Sequence, residues 1–411
     1  MRRVAVTGIG LISPLGNSCA EALASAAAGR SAIGRIEAPW AQRLTSPIAA
    51  CARFQGEEHF ASPRLRMLDR VGQLALVAAR QAITDSRLDV AAADRERAGV
   101  FIGSGMGGAL ATDDGYLSLY RDGSDRLKPF TVLMGMTNAP AAWIGIEYDL
   151  KGPNLTYSTA CSSSAVSIGE AWSRLRRGEI DLAIAGGSEA PLAYGAMKAW
   201  EALHTLASVD PDDPASSCKP FSANRTGLVL GEGAAILVLE DWTRAIDRGA
   251  VIHGELLGYG LSTDASHITR PTIAGQAAAM RAALRSGEIA PDAIDGINAH
   301  GTGTQANDSV ETAAIKEVFG ERAYRLPVSA TKAIHGHLLG ASGALELALA
   351  LLALEEDIVL PTMHLGMPAP DCDLDYVPNA ARRGTGARTV MSSSFAFGGT
   401  NAVLIAGKHG A

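Results

Sequence analysis

Residues 155–175 read LTYSTACSSSAVSIGEAWSRL. A β-run at Leu155–Ser158 gives way at Thr159-Ala160-Cys161 to small residues, behind which Ala165, Ile168, Trp172 and Leu175 recur at helical spacing. The stretch is a strand, a turn and a helix. A fainter copy stands at residues 326–349, LPVSATKAIHGHLLGASGALELAL. A second pair of echoes precedes these: Gly99-Val100-Phe101-Ile102-Gly103-Ser104-Gly105 is matched by Gly296-Ile297-Asn298-Ala299-His300-Gly301-Thr302-Gly303. The echoes start 56 residues apart in the first half (99 to 155) and 30 apart in the second (296 to 326), so the first half carries about 26 extra residues, placed within Ala109–Asn138. This is the pattern of a duplicated fold with its site where the halves meet.

Outward from these stretches, further apolar runs read as strands covered on both faces: Val4–Gly8, Leu182–Gly187, Ala235–Leu239 and Val403–Ala406. Helical segments intervene at Arg70–Thr84, Val166–Arg177, Gln276–Arg285 and Ser309–Phe319, which makes the class α/β. The halves divide at residues 1–250 and 251–411. Of the 411 residues 47% are hydrophobic and 19% charged, enough apolar content for a sizeable core, and no linker or low-complexity stretch interrupts it. The net charge of −7 argues against bulk nucleic-acid binding. The longest apolar run, Leu345 to Leu354, contains Glu346 and is too short for a bilayer. Five scattered cysteines without CxxC spacing indicate reduced thiols and a cytoplasmic setting.

Cys161 is the residue best placed for chemistry. A cysteine at a helix start faces free N–H groups and the positive end of the helix dipole, both of which favour the thiolate. Cys19, Cys51, Cys218 and Cys372 lack that setting. His300 and His337 each follow a strand, where ligands bind in open α/β sheets. A neutral imidazole there can donate to an oxyanion or relay a proton. A metal site using His335 and His337 is the competing reading, but neither an HExxH helix nor a carboxylate cluster accompanies them. Lys332, Glu346 and Glu311 stand in apolar, Gly-rich surroundings and should be paired if buried. Ser393 to Asn401 carries Gly398 and Gly399, which suit a hairpin turn or an amide aimed at a ligand. Gly103-Ser104-Gly105-Met106-Gly107-Gly108 nominally fits a dinucleotide fingerprint, yet no βαβ unit opens there.

Together these residues resemble the β-ketoacyl-[acyl-carrier-protein] synthases of the elongating type II class, in the thiolase superfamily. The resemblance runs almost end to end, from Val4-Ala5-Val6-Thr7-Gly8 through Thr159-Ala160-Cys161-Ser162-Ser163, Asn298-Ala299-His300-Gly301-Thr302, and Lys332 with Gly336-His337-Leu338-Leu339-Gly340, to Phe397-Gly398-Gly399-Thr400-Asn401. It implies two duplicated halves in a five-layered αβαβα fold, and a dimer with a second copy or with a ketosynthase-like subunit. It implies that Cys161 takes an acyl chain from an acyl carrier protein, and that His300 and His337 bind the malonyl thioester and stabilise the enolate left when CO2 departs. The Cys161 and Phe397 amides would form the oxyanion hole, Thr302 and Thr304 would hold the pantetheine arm, and Lys332 with Glu346 and Glu311 would support the histidines. No cofactor or metal is implied. Met106, with Met134 and Met136 in the insertion, would shape the acyl pocket. Arg64, Arg66, Arg70, Arg126 and Lys128 are the candidates for docking the acidic carrier protein.

The chain departs from the housekeeping pattern at His335, where Thr is usual, at Ala396 beside Phe397, where Gly is frequent, and at Ser222, Asn224 and Thr226, which replace acidic residues. The His-Gly-His sequence is similar to specialised ketosynthases of nodulation-factor or polyene type. Two other readings are a non-catalytic chain-length-setting subunit, against which Cys161, His300 and His337 argue, and a CoA-linked thiolase.

Overall fold

The computed structural model describes residues 1–90 and 92–409. Ten strands dominate it: β1 (Val4–Ile12), β2 (Ala98–Gly103), β3 (Asn154–Tyr157), β4 (Leu182–Glu189), β5 (Gly233–Asp241), β6 (Gly254–Thr263), β7 (Gly296–Asn298), β8 (Val328–Ser329), β9 (Thr389–Phe395) and β10 (Thr400–Gly407). Their spatial order is β8-β7-β9-β10-β6-β1-β5-β4-β2-β3. Counted within each half, both run third, second, fourth, fifth, first, outward edge to centre, so the second half repeats the first. The parallel and antiparallel pairings repeat as well: β3, β2 and β4 are parallel and β5 reverses, as do β8, β7, β9 and β10. The half-sheets join through three antiparallel residue pairs of β1 and β6, Val4–Val6 against Gly254–Leu256.

Five helices fill the layers. Helix α1 (Arg70–Ser86) covers the outer face of the first half-sheet, and α3 (Ile273–Gly287) with α4 (Gln305–Phe319) covers the second. Between the half-sheets lie α2 (Ser163–Arg176) and α5 (Ser342–Glu355), each touching strands of both. The result is the five-layered αβαβα arrangement. In α5, Ser342 through Leu354 are all buried, as an all-round apolar helix must be. The extra residues of the first half, within Ala109–Asn138, fold as helices at Ala109–Tyr120 and Thr131–Gly135; a third helix, Ala139–Tyr148, follows before β3, where the second half has α4 and a 3-10 stretch, Gly320–Arg325, between β7 and β8.

Two strands, β6 and β9, escape the apolar-run reading. Strand β6 contains three glycines; a Cβ on Gly260 would lie 2.1 Å from the Ala279 carbonyl, so the missing side chain lets α3 lie directly on the strand. Strand β9 carries Ser392, Ser393 and Ser394, all buried, with Ser392 accepting a hydrogen bond from Asn298 at 3.1 Å. Strands β9 and β10 do form a hairpin, and its turn at residues 396–399 holds Phe397. No helix among the described residues is long and apolar enough to cross a membrane.

Candidate active site

The turn before α2 is a single 3-10 turn, Ala160–Ser162, so Cys161 precedes the α-helix by two residues rather than opening it. The serines explain the local shape. Ser163 Oγ donates to the Ala160 carbonyl at 2.6 Å and accepts from the Thr159 amide at 2.9 Å, while Ser162 Oγ donates to the Thr159 carbonyl at 2.9 Å. Ala160 is held at φ +50°, and the equivalent turn of the second half holds Leu339 at φ +45°. Both are non-glycine residues in the left-handed region, a conformation worth about 1–3 kcal/mol of strain that clusters at functional sites.

Three groups converge at this turn. Cys161 Sγ and one ring nitrogen from each of His300 and His337 lie within 4.8 Å of one another, and all three residues are buried. The imidazoles stand edge to face, with centroids 5.4 Å apart at 82°. His337 Nδ1 is hydrogen-bonded to Ser342 Oγ at 2.8 Å, and its Nε2 is buried without a hydrogen-bond partner among the described residues. His300 follows β7 and is fixed from behind: its amide donates to Glu311 Oε1 at 2.7 Å, the Gly301 amide donates to Glu311 Oε2 at 2.9 Å, and Lys332 Nζ donates to its carbonyl at 2.7 Å. Lys332 Nζ also lies 3.4 Å from His300 Nδ1. An ammonium has only donors, so Nδ1 is the acceptor and the ring proton belongs on Nε2, towards Cys161. Lys332 is paired with Glu346 at 2.5 Å, both side chains 1% exposed. Lys332 and Glu346 are therefore paired as their apolar surroundings require, whereas Glu311 is held by neutral donors rather than by an opposite charge.

Burial and the Lys332 ammonium together hold both catalytic-candidate imidazoles well below the ordinary histidine range, so each is neutral. Burial pushes Glu311 up to about 7, against the amides that bind it. The thiol departs from expectation. Burial pushes Cys161 up to about 11, opposed by the Lys332 charge and by the Phe397 and Cys161 backbone N–H groups. The helix-start position does not outweigh loss of water, so the resting group is a thiol whose proton must leave during attack. The Phe397 and Cys161 backbone N–H groups both lie at the Cys161 sulfur.

A cleft of about 500 Å³ opens onto these groups, with Thr302, Thr304, Ile268 and Phe397 in its walls. Thr302 and Thr304 share a hydrogen bond at 2.9 Å. Phe397 is half-buried and stacks on Trp200, centroids 6.0 Å apart. Met106 packs in the apolar cluster that contains Cys161 and Leu339. Met134 is buried outside that cluster and Met136 is 45% exposed.

His335 is not part of the constellation. It is fully buried, bonds Thr331 Oγ1 through Nε2 at 2.9 Å, and burial lowers it to about 3. Soft-metal donors therefore converge as Cys161, His300 and His337, not as His335 with His337. Among the docking candidates Arg66, Arg126 and Lys128 are exposed, while Arg64 pairs with Glu147. Arg70 is a correction: it turns inward, donating to both oxygens of Glu232 at 2.7 Å and to the Ala52 and Phe54 carbonyls, and so cannot present its charge to a partner. Sequence reasoning missed Trp200, Ser342 and Glu189. The one signal for Glu189 was a carboxylate closing the apolar run Leu182–Gly187.

Residues 1–245 match the family described as Beta-ketoacyl synthase, N-terminal domain, and residues 253–366 match Beta-ketoacyl synthase, C-terminal domain. The chain is 41% identical to Nodulation protein E of Rhizobium meliloti (strain 1021) and 41% identical to 3-oxoacyl-[acyl-carrier-protein] synthase 2 of Coxiella burnetii, with 98% of both chains covered in each comparison. Among solved structures it resembles a type II PKS acyl-carrier protein in complex with its ketosynthase bound to the hexaketide (TM-score 0.91, 30% identity, 99% of both chains). It also resembles the ishigamide ketosynthase/chain length factor (TM-score 0.90, 35% identity, 100% of both chains).

Proposed function

The chain belongs to the β-ketoacyl synthase family, and we propose that it carries out the family's decarboxylative condensation with Cys161 as acyl carrier and His300 and His337 at the malonyl thioester. It is an acyltransferase, a 3-oxoacyl-[acyl-carrier-protein] synthase of fatty-acid or polyketide synthesis. The observation that carries the residue assignment is the convergence of one buried thiol and two neutral imidazoles within 4.8 Å beneath the Phe397 amide.

The steps balance without a redox partner. Cys161 attacks the acyl thioester; the new C–S bond forms, the carrier's thiolate leaves, and the thiol proton ends on it. With the chain seated on Cys161, malonyl thioester binds with its carbonyl oxygen towards the His300 and His337 Nε2 positions. The bond to the carboxylate breaks, CO2 departs, and the electron pair delocalises onto the thioester oxygen as an enolate. Two neutral N–H donors stabilise that charge without titrating themselves. The enolate carbon attacks the acyl carbonyl, whose oxyanion is received by the Cys161 and Phe397 amides. Collapse expels the Cys161 thiolate, which takes up a proton from solvent, and releases 3-oxoacyl carrier protein.

Thr302 and Thr304, on the cleft wall, are assigned to the pantetheine arm, and Met106 to the acyl pocket. The carrier protein docks on the exposed Arg66, Arg126 and Lys128, with Arg64 beside them. The division at residues 250 and 251 into a thiol half and a histidine half is part of the proposal, supported by the repeated strand order. So is a second ketosynthase-like chain, like or unlike, on the β3 edge. That edge strand is half-exposed, and Val132 and Leu133 in the insertion and Ile146 on the helix after it lie bare, an edge that natural proteins cover. The reaction is placed in the cytoplasm, where carrier-bound substrates and reduced thiols coexist.

The test is intact-mass spectrometry after incubation with acyl carrier proteins of graded chain length, alongside CO2 release from malonyl carrier protein. We expect one acyl adduct, absent in Cys161→Ala. An adduct that persists in Cys161→Ala refutes the assignment.

A further inference from the structure

Glu189 ends β4, and its side chain is fully buried. Its Oε2 accepts from the Gly105 amide at 2.6 Å and the Gly340 amide at 2.9 Å; its Oε1 accepts from the Met106 amide at 3.0 Å and the Ser104 hydroxyl at 3.2 Å. Four donors saturate one carboxylate. Burial pushes it up to about 6, and the same donors pull it back. A carboxylate is costly to bury, and this one is buried where the two halves of the molecule meet. Residues 104–106 follow β2 of the first half. Gly340 belongs to the second half, three residues after His337. The two backbones approach so closely that a Cβ on Gly340 would lie 2.5 Å from the Gly105 nitrogen and 2.6 Å from Glu189 Oε2. On one side of this junction Met106 packs with Cys161; on the other stands the turn that carries His337.

We propose that Glu189 is a positioning residue that locks the His337 turn against the loop walling the acyl chain, and so sets the second imidazole relative to acylated Cys161. The inference rests on the roles assigned above to Cys161 and His337. The chemistry suits an ionised carboxyl and not its amide. A carboxylate only accepts, whereas a glutamine turns its own N–H groups towards at least one of the four donors and pushes the loops apart. The two half-reactions differ in what they draw on. Acyl transfer to Cys161 uses the Cys161 and Phe397 amides, neither of which is bonded to Glu189; the Glu189 charge raises the Cys161 thiol, an effect that Ser104→Ala leaves in place. Decarboxylation depends on where His337 stands, and a misplacement of about 1 Å in such a site costs on the order of 10²-fold.

The experiment measures two single-turnover rates in the full-length protein: adduct formation on Cys161 by intact mass, and CO2 release from malonyl carrier protein. The variants are Glu189→Gln and the milder Ser104→Ala, which removes one donor and leaves the carboxylate. In Glu189→Gln the ratio of decarboxylation to acylation falls about tenfold or more, a fraction of the loss that a misplaced group produces. Ser104→Ala moves the ratio the same way by less, and decides the matter if Glu189→Gln does not fold. An unchanged ratio in Ser104→Ala, or both rates falling equally in Glu189→Gln, overturns the proposal and leaves Glu189 a packing residue. An adduct that survives Cys161→Ala overturns the underlying residue assignment instead, so the two failures are distinct.

Discussion

Replacing Lys332 by methionine removes one partner of a fully buried ion pair. The Lys332 ammonium lies 2.5 Å from Glu346 Oε1, and both side chains are 1% exposed. Unit charges about 4 Å apart attract by about 4 kcal/mol at an effective dielectric of about 20. Removing one member of such a pair costs about 3–5 kcal/mol, because the remaining charge stays buried. We expect Lys332→Met to fall in that range at pH 8. The loss depends on pH in a definite direction. Burial already raises the Glu346 carboxyl, and Lys332 opposes that rise. Without Lys332 the folded state holds the Glu346 proton more tightly than the unfolded chain does. Stability therefore declines as pH rises above the unfolded carboxyl value, and Lys332→Met is less impaired at pH 5 than at pH 8. The double variant Lys332→Met/Glu346→Leu replaces the pair by apolar groups of similar size and should recover most of the loss. It should not recover decarboxylation, since the donor to the His300 carbonyl is gone. Thermal and urea melts of the three variants at both pH values, beside CO2 release, test this. A cost below about 1 kcal/mol for Lys332→Met at pH 8, or a double variant less stable than the single, refutes the reasoning.

Other perturbations separate the roles. His300→Ala and His337→Ala should still acylate slowly while CO2 release falls about 10²–10³-fold, the usual cost of one oxyanion donor; equal losses in both half-reactions would contradict the division of labour. Because both imidazoles are held neutral, neither ring should show a protonation step by NMR between pH 6 and 7; a ring titration there refutes the neutral assignment. His335 is lowered to about 3 by burial, so on acidification the unfolded chain gains a proton that the folded state refuses. The stability of His335→Gln relative to wild type should thus improve by about 1.4 kcal/mol per pH unit from pH 6 down to 4.5, and parallel curves would sink that account. Charge reversal at Arg66, Arg126 or Lys128 should raise KM for the carrier protein, most at low salt, and leave melting unchanged. Arg70→Glu should instead lower the melting temperature, because it places a carboxylate against Glu232.

How the site could be read depended on where each signal lay along the chain. The Thr159-Ala160-Cys161 turn, the His300 and His337 positions after strands, and Glu346 inside an apolar helix are local patterns, and local spacing carries them. Glu189, Trp200 and Ser342 gave no comparable signal. Their roles come from partners 151, 197 and 5 residues away, and only the last lies within one turn of sequence. Strands β6 and β9 were hidden because glycine and serine replace the apolar residues that mark a buried strand, glycine to admit a helix and serine to hydrogen-bond inside the core.

By itself the sequence determined the α/β class, the duplication with its insertion in the first half, and the residues able to do chemistry, because strand and helix periodicity and turn chemistry act over a few residues. Tertiary structure decided what those residues become. It buried Cys161 deeply enough to keep it a thiol, turned Arg70 inward onto Glu232, and left Met136 exposed. Desolvation and charge pairing depend on which segments pack together, and here the packing joins residues from opposite halves of the chain.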